Sequence, residues 1–280
     1  MRMKKISIGF SPCPNDTFIF HALVHGLVAL EGWSLAKERL ADIETLNYWA
    51  LAGKLDVTKI SFHALGHVLS DYVLLPAGAA LGRGCGPLLV ARQDPGAAKL
   101  PLQTIAIPGR YTTAAMLLHL FAPQCRQTVE MRFDQIVPAI VAGRVDAGVI
   151  IHESRFTYQE KGLVLIRDLG AWWEEVSGQP VPLGGIVAKR SLGVELIRKI
   201  SAAVRASVDL AFANPARALA YIKMHAQELD DQIIAAHIGL YVNHYSADLD
   251  EAGRAAVQVF LERGREIGLL PRGPDIMLDP

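Results

Sequence analysis

Short apolar runs alternate with stretches of helical apolar spacing along the first two thirds of the chain. This alternation constrains the fold most. Strand-like runs at 5–10, 33–39, 57–60, 72–75, 87–91, 104–107, 128–132 and 145–151 are separated by helix-like stretches at 16–28, 42–55, 61–69, 113–121 and 133–142. Such an order argues for α/β architecture, with mainly parallel sheets covered by helices. A further strand is expected at 184–188. After Lys189 the character changes, and 196–212, 215–227, 231–245 and 250–265 all read as helices. Asn214-Pro215 fits a cap followed by proline at the first helical position.

Glycine-rich stretches at 78–86 and 177–185 flank the second βα series. They read as two crossings between lobes. One lobe is then 1–90 plus 183–280, the other 91–182, with a ligand cleft between them. A double crossing of this kind suits hinge closure on a ligand.

The composition narrows the partners. Of 280 residues, 51% are hydrophobic and 20% charged, which is enough apolar material for a sizeable core. Lys+Arg and Asp+Glu both number 28, so no basic footprint points to nucleic acid or an acidic membrane surface. No uncharged apolar run is long enough for a membrane span. Cys13, Cys85 and Cys125 cannot all pair, which favours a reducing compartment. The basic start runs into Ser7 and Gly9 without an apolar h-region, so it reads as a first strand, and a cytoplasmic location is expected.

Chemistry concentrates where strands hand over to helices. Asp146-Ala-Gly-Val-Ile-Ile-His152-Glu-Ser-Arg155 is an apolar strand that ends in an imidazole, a carboxylate, a hydroxyl and a guanidinium. Ligands collect beyond the carboxyl ends of strands in α/β sheets, and a histidine accepts a proton near neutral pH. Arg155 is a candidate for holding a substrate carboxylate, although pairing with Glu153 is the plainer alternative. Ser11–Thr17 (with Asn15 and Asp16 as an expected N-cap), Lys59-Ile60-Ser61 and Arg110-Tyr-Thr112-Thr113 form three more polar starts suited to anions. Each alone is more often just a cap; four together point to a shared cleft.

Other motifs weigh less. His21/His25 and His63/His67 have helical spacing but no HExxH context, so no zinc site is expected. Gly82-Arg-Gly-Cys-Gly86 lacks the ending of a phosphate-binding loop and reads as a turn or hinge. Cys13 has no evident base beside it. Trp172-Trp173 suits a ligand wall or a core equally well.

Four motifs carry a family resemblance. Ser11-Pro-Cys-Pro-Asn-Asp-Thr-Phe18, Pro108-Gly-Arg-Tyr-Thr-Thr113, Ile151-His-Glu-Ser-Arg-Phe-Thr-Tyr158 and Asp168-Leu-Gly-Ala-Trp-Trp-Glu-Glu175 resemble the 1,4-dihydroxy-6-naphthoate synthases of the futalosine route to menaquinone. The resemblance implies a two-lobed fold like the type 2 periplasmic binding proteins. It implies a carbon–carbon lyase that needs no cofactor or metal, acting on the small molecule cyclic dehypoxanthine futalosine. It places His152 as proton acceptor, and Lys59, Ile60, Ser61, Thr112 and Thr113 at ligand-binding positions. The alternatives are a non-catalytic small-carboxylate-binding protein of the same fold and a related chorismate dehydratase.

Overall fold

Two mixed sheets carry the chain in the computed structural model, which describes residues 4–93, 104–125, 127–226, 230–274 and 276–277. Met1–Met3 of the basic start and Gln227, the expected end of one helix, lie outside the described residues.

The first sheet runs in the order Arg39–Leu40, Ile8–Phe10, Val57–Ser61, Val181–Lys189, Tyr72–Leu74, and Ala80–Gly82 also pairs with Val181–Lys189. The second runs Thr128–Glu130, Ile105–Ile107, Ala147–Ile150, Leu88–Arg92, Leu163–Asp168. Lys4–Ile6 and Trp33–Leu35 form a small parallel pair.

Parallel pairing is confined to the βα series, as alternation requires: Ile8–Phe10 with its two neighbours, and Ile105–Ile107 with its two. The antiparallel share comes from two strands next to the crossings. Leu88–Arg92 runs against both of its neighbours, and Val181–Lys189 against all three of its own. A chain leaving one sheet and returning to it enters against the direction of the βα strands. The sheets are therefore mixed. Leu88–Arg92 lies whole in the second sheet, across the boundary expected at residue 90.

Among the elements that escaped the sequence, two follow one another after His152. Leu163–Asp168 is a strand whose Leu165 is exposed and whose register shifts near Arg167, which breaks the alternation that marks strands. Leu169–Ser177 is a helix capped by Asp168, whose carboxylate accepts from the Gly170 and Ala171 amides. The glycine run also differs from the expected turn, since Ala80–Gly82 is a strand. Gly86 serves close approach: a Cβ there would sit 2.2 Å from the Cα of Gly170.

The apolar residues form a core on the helix Pro14–Val24 side of the first sheet, a larger one that runs into the second sheet, and a third between the second sheet and the helix Phe133–Val141. Trp173 belongs to the larger core, edge-on to Phe260 and donating from its indole to the Pro180 carbonyl at 3.2 Å. Trp172 packs on Phe121. The tryptophan pair is thus core and not ligand wall. Among the described residues no helix is long and apolar enough to cross a membrane.

Candidate active site

A cleft of about 660 Å³, including its open mouth, is lined by Ser11, Asn15, Asp16, Lys59, Ser61, Thr112, Thr113 and His152 among others. Their elements explain the convergence. The helix Pro14–Val24 starts at Cys13 with proline at N1, which places Asn15 and Asp16 in its first turn and not at its cap. Val57–Ser61 is buried along its length and delivers Lys59 and Ser61. Thr112 caps the helix Thr113–Phe121, and Ala147–Ile150 ends just short of His152.

Lys59 and Asp16 form a buried ion pair at 2.9 Å, their side chains 4% and 2% exposed. Asp16 also accepts from the Ser11 amide and hydroxyl at 3.2 and 2.8 Å and from Asn15 Nδ2 at 2.9 Å. Lys59 also donates to the Gly78 carbonyl at 3.0 Å. The lysine charge is therefore neutralised inside the protein. Buried charges persist only when paired in this way.

His152 has φ 57°, the only left-handed non-glycine conformation among the described residues. Holding a histidine there costs about 1–2 kcal/mol, and such strain concentrates at functional sites. Its ring meets Phe133 edge-on at 4.9 Å, and its Nε2 lies 3.8 Å from Cys13 Sγ. Burial pushes the imidazole below its ordinary 6.5, against the opposing pull of Glu153, Asp16 and Asp42. The ring is neutral at neutral pH and able to accept a proton. Burial holds the Cys13 thiol well above its usual range, so it is no thiolate nucleophile despite its neighbour.

His237 was invisible to sequence reasoning. It is fully buried on the helix Asp231–Tyr241, stacked parallel to His152 at 6.0 Å between centroids. Its Nε2 is 3.0 Å from Asn15 Oδ1. The Asn15 amide nitrogen is engaged with Asp16, so Nε2–H donates to Oδ1. Burial, then the proximity of His152, push His237 far below 6.5. A neutral neighbour leaves His152 free to become cationic. Tyr241, one turn on, lines the cleft.

The hydroxyls differ in what they offer. Thr112 Oγ1 donates to the Gly109 carbonyl at 2.7 Å and accepts from the Ala115 amide at 3.2 Å. Thr113 Oγ1 donates to the Leu183 carbonyl at 2.7 Å. Ser61 Oγ accepts from Asn47 Nδ2 at 3.2 Å.

Two expected site residues lie elsewhere. The Ile60 side chain is fully buried in the larger core, because side chains alternate along its strand. Arg155 is 17% exposed and turned away from the cleft lining. Its guanidinium bonds the carbonyls of Gly86 and Gly84 and pairs with Asp168 at 3.0 Å. It ties the short helix Ser154–Thr157 to the glycine run, and Glu153 is not its partner. His63 does not reach the cleft lining either; its Nδ1–H donates to the Thr112 carbonyl at 3.2 Å.

A family model described as menaquinone biosynthesis matches residues 6–266. A 1,4-dihydroxy-6-naphthoate synthase of Thermus thermophilus is 51% identical over 97% of this chain and 98% of its own. One of Streptomyces coelicolor is 45% identical over the full length of both. Among solved structures, a protein of Archaeoglobus fulgidus superposes with a TM-score of 0.88 at 36% identity, covering 96% of this chain and 100% of its own. The periplasmic aliphatic sulphonate binding protein of Escherichia coli gives a TM-score of 0.67 at 14% identity, over 99% and 92% of the two chains. The last likeness shows the fold alone: two lobes of the periplasmic-binding-protein kind.

Proposed function

This chain belongs to the 1,4-dihydroxy-6-naphthoate synthase family of menaquinone biosynthesis, and from that membership we propose that it converts cyclic dehypoxanthine futalosine to 1,4-dihydroxy-6-naphthoate with His152 as proton acceptor. One observation carries the reading. A neutral imidazole is held in a strained conformation on the wall of a cleft that also presents Ser61, Thr112 and Thr113.

His152 removes a proton beside the activated carbon of the substrate. Elimination follows, carbon–carbon cleavage ejects the sugar-derived fragment, and aromatisation of the remaining ring drives the sequence forward. Such a sequence calls for a neutral base and for donors at the oxygen that gains charge. It also gains from exclusion of water, which closure of the lobes supplies. The lobes are taken as 1–90 plus 183–280 against 91–182, with the first crossing moved back to 83–87 so that Leu88–Arg92 belongs whole to the second. The three buried free cysteines agree with a reducing compartment, the cytoplasm.

The test is direct. Purified protein is mixed with cyclic dehypoxanthine futalosine, and dihydroxynaphthoate is followed by absorbance and chromatography. Binding without product supports a carboxylate-binding protein instead, and turnover of chorismate supports a dehydratase.

A further inference from the structure

We infer that Asn47 is a positioning residue that fixes Ser61 as a hydrogen-bond donor to an acceptor oxygen of the substrate, its carboxylate. The inference rests on the function proposed above and names what one corner of that cleft recognises.

Asn47 lies on the helix Ile43–Leu51, fully buried and outside the cleft lining. Its amide can be oriented in one way only. Oδ1 accepts from the Ser61 backbone N–H at 2.9 Å, and a backbone N–H can only donate. Nδ2 therefore faces the other side. There it meets Glu44 Oε2 at 3.0 Å, Ser61 Oγ at 3.2 Å and the Tyr111 carbonyl at 3.3 Å. A carboxylate and a carbonyl can only accept, which confirms the orientation. Glu44 is itself held, accepting from the Tyr111 amide at 3.0 Å.

The consequence falls on Ser61. An amide nitrogen cannot accept, so in this contact Ser61 Oγ can only accept, sharing the two Nδ2 hydrogens with Glu44 and the Tyr111 carbonyl. The hydroxyl proton then has no acceptor among the described residues, while Ser61 lines the cleft. A polar group so placed is satisfied by a ligand or by water. Ser61 thus offers a proton to whatever occupies the cleft. Thr113 is its opposite: its proton is spent on Leu183, so it offers only lone pairs. Thr112 has likewise spent its proton, and one of its two lone pairs as well.

Of the three neighbouring hydroxyls, Ser61 alone has a proton to give. A substrate that fits places an acceptor oxygen at Ser61 and a hydroxyl hydrogen at Thr113. The charges of Lys59 and Arg155 are taken by Asp16 and Asp168, so the polarity of Ser61 weighs more than that of one hydroxyl among free cations. Neutral donors can hold a carboxylate, since hydrogen bonds to an ionised acceptor are the strong ones.

Steady-state kinetics of the full-length enzyme test this. Asn47→Asp is nearly isosteric; its carboxyl shares one proton with Glu44 3.0 Å away and turns an acceptor oxygen towards Ser61, which draws the Ser61 proton away from the cleft. KM is expected to rise roughly 10- to 100-fold with kcat nearly unchanged, as for loss of a bond to a charged acceptor. Ser61→Ala should do the same, and adding Asn47→Asp to it should change KM less than about twofold, because the two act through one proton. Unchanged KM in Asn47→Asp, or effects that multiply, overturns the inference.

Should Asn47→Asp fail to fold, the methyl ester of the substrate decides. Preference for acid over ester should fall in Ser61→Ala and persist in Thr113→Val. Equal loss in both, or none in Ser61→Ala, overturns the inference. A wild-type protein that yields no dihydroxynaphthoate sinks the proposed function instead.

Discussion

Replacing His152 by asparagine separates chemistry from stability. The backbone there has φ 57°, and asparagine is the side chain that tolerates the left-handed region best after glycine. Relief of strain returns about 1 kcal/mol. Loss of the edge contact with Phe133 costs a similar amount, about 0.5–1.5 kcal/mol. The two nearly cancel, so the melting midpoint should move by no more than about 4 °C. Removing the base should instead cost about 100- to 10,000-fold in turnover, roughly 3–5 kcal/mol of barrier. Product formation at saturating substrate and a thermal melt on the same preparation read both quantities. The pH profile adds a sign. Burial depresses the His152 pKa, so wild-type kcat/KM should fall with acid along a limb centred below 6.5. The asparagine variant should keep a small rate without that limb. A folded variant retaining more than about a tenth of the activity, or a wild-type limb centred above 6.5, would refute the reasoning.

Arg155→Leu should lower stability by about 1.5–3 kcal/mol while leaving KM within roughly twofold, because the guanidinium serves Gly84, Gly86 and Asp168. Urea melts and kinetics check it, and a large KM effect would return Arg155 to the substrate. Asp16→Asn leaves Lys59 buried against the Gly78 carbonyl and should cost about 3–5 kcal/mol by denaturant titration. His63 is held neutral, burial pushing it down to about 4. The unfolded chain binds its proton near 6.5, so stability should fall as pH drops from 6.5 and level off below 4, a loss of about 3 kcal/mol. His63→Asn, whose amide can still donate to Thr112, should make that limb shallower in melts taken across the same range, leaving the part that His152 and His237 contribute.

The cleft was legible where it is built from strand ends. Lys59, Ser61, Thr112, Thr113 and His152 follow runs whose burial shows in local periodicity, and a polar burst after such a run is visible in one dimension. His237 and Tyr241 gave no such signal. They sit on the buried face of a helix from the far end of the chain, one and two turns from Ile234, and a ring on an apolar face reads as core. Asn47 lies in a helix between Leu46 and Tyr48, and only the fold brings it to Ser61 and Tyr111. Arg155 fails for the converse reason. Its place after the strand was legible, but a long side chain is directed by acceptors, and those belong to a glycine run seventy residues earlier.

Tyr111 shows the limit most sharply, because it joins the seam between the sheets through its backbone as well as through a ring that meets Tyr48 and His67. Glu44 holds its amide and Asn47 its carbonyl, while His63 holds the next carbonyl and Thr113 reaches Leu183. These bonds join the loop before the helix Thr113–Phe121 to the first sheet and its helices. Each is worth about 1 kcal/mol net when water can replace it. Behind them the seam turns apolar: Met116 packs so closely on Gly264 that a Cβ there would lie 2.4 Å from its methyl carbon. Opening about a hinge at the back would break these four bonds at the polar front, about 4 kcal/mol for the set, and would also part the Tyr111 ring from Tyr48 and His67. The same front carries Ser61 and Thr113, so on the function proposed above the groups that would hold the substrate are also the groups that closure would align.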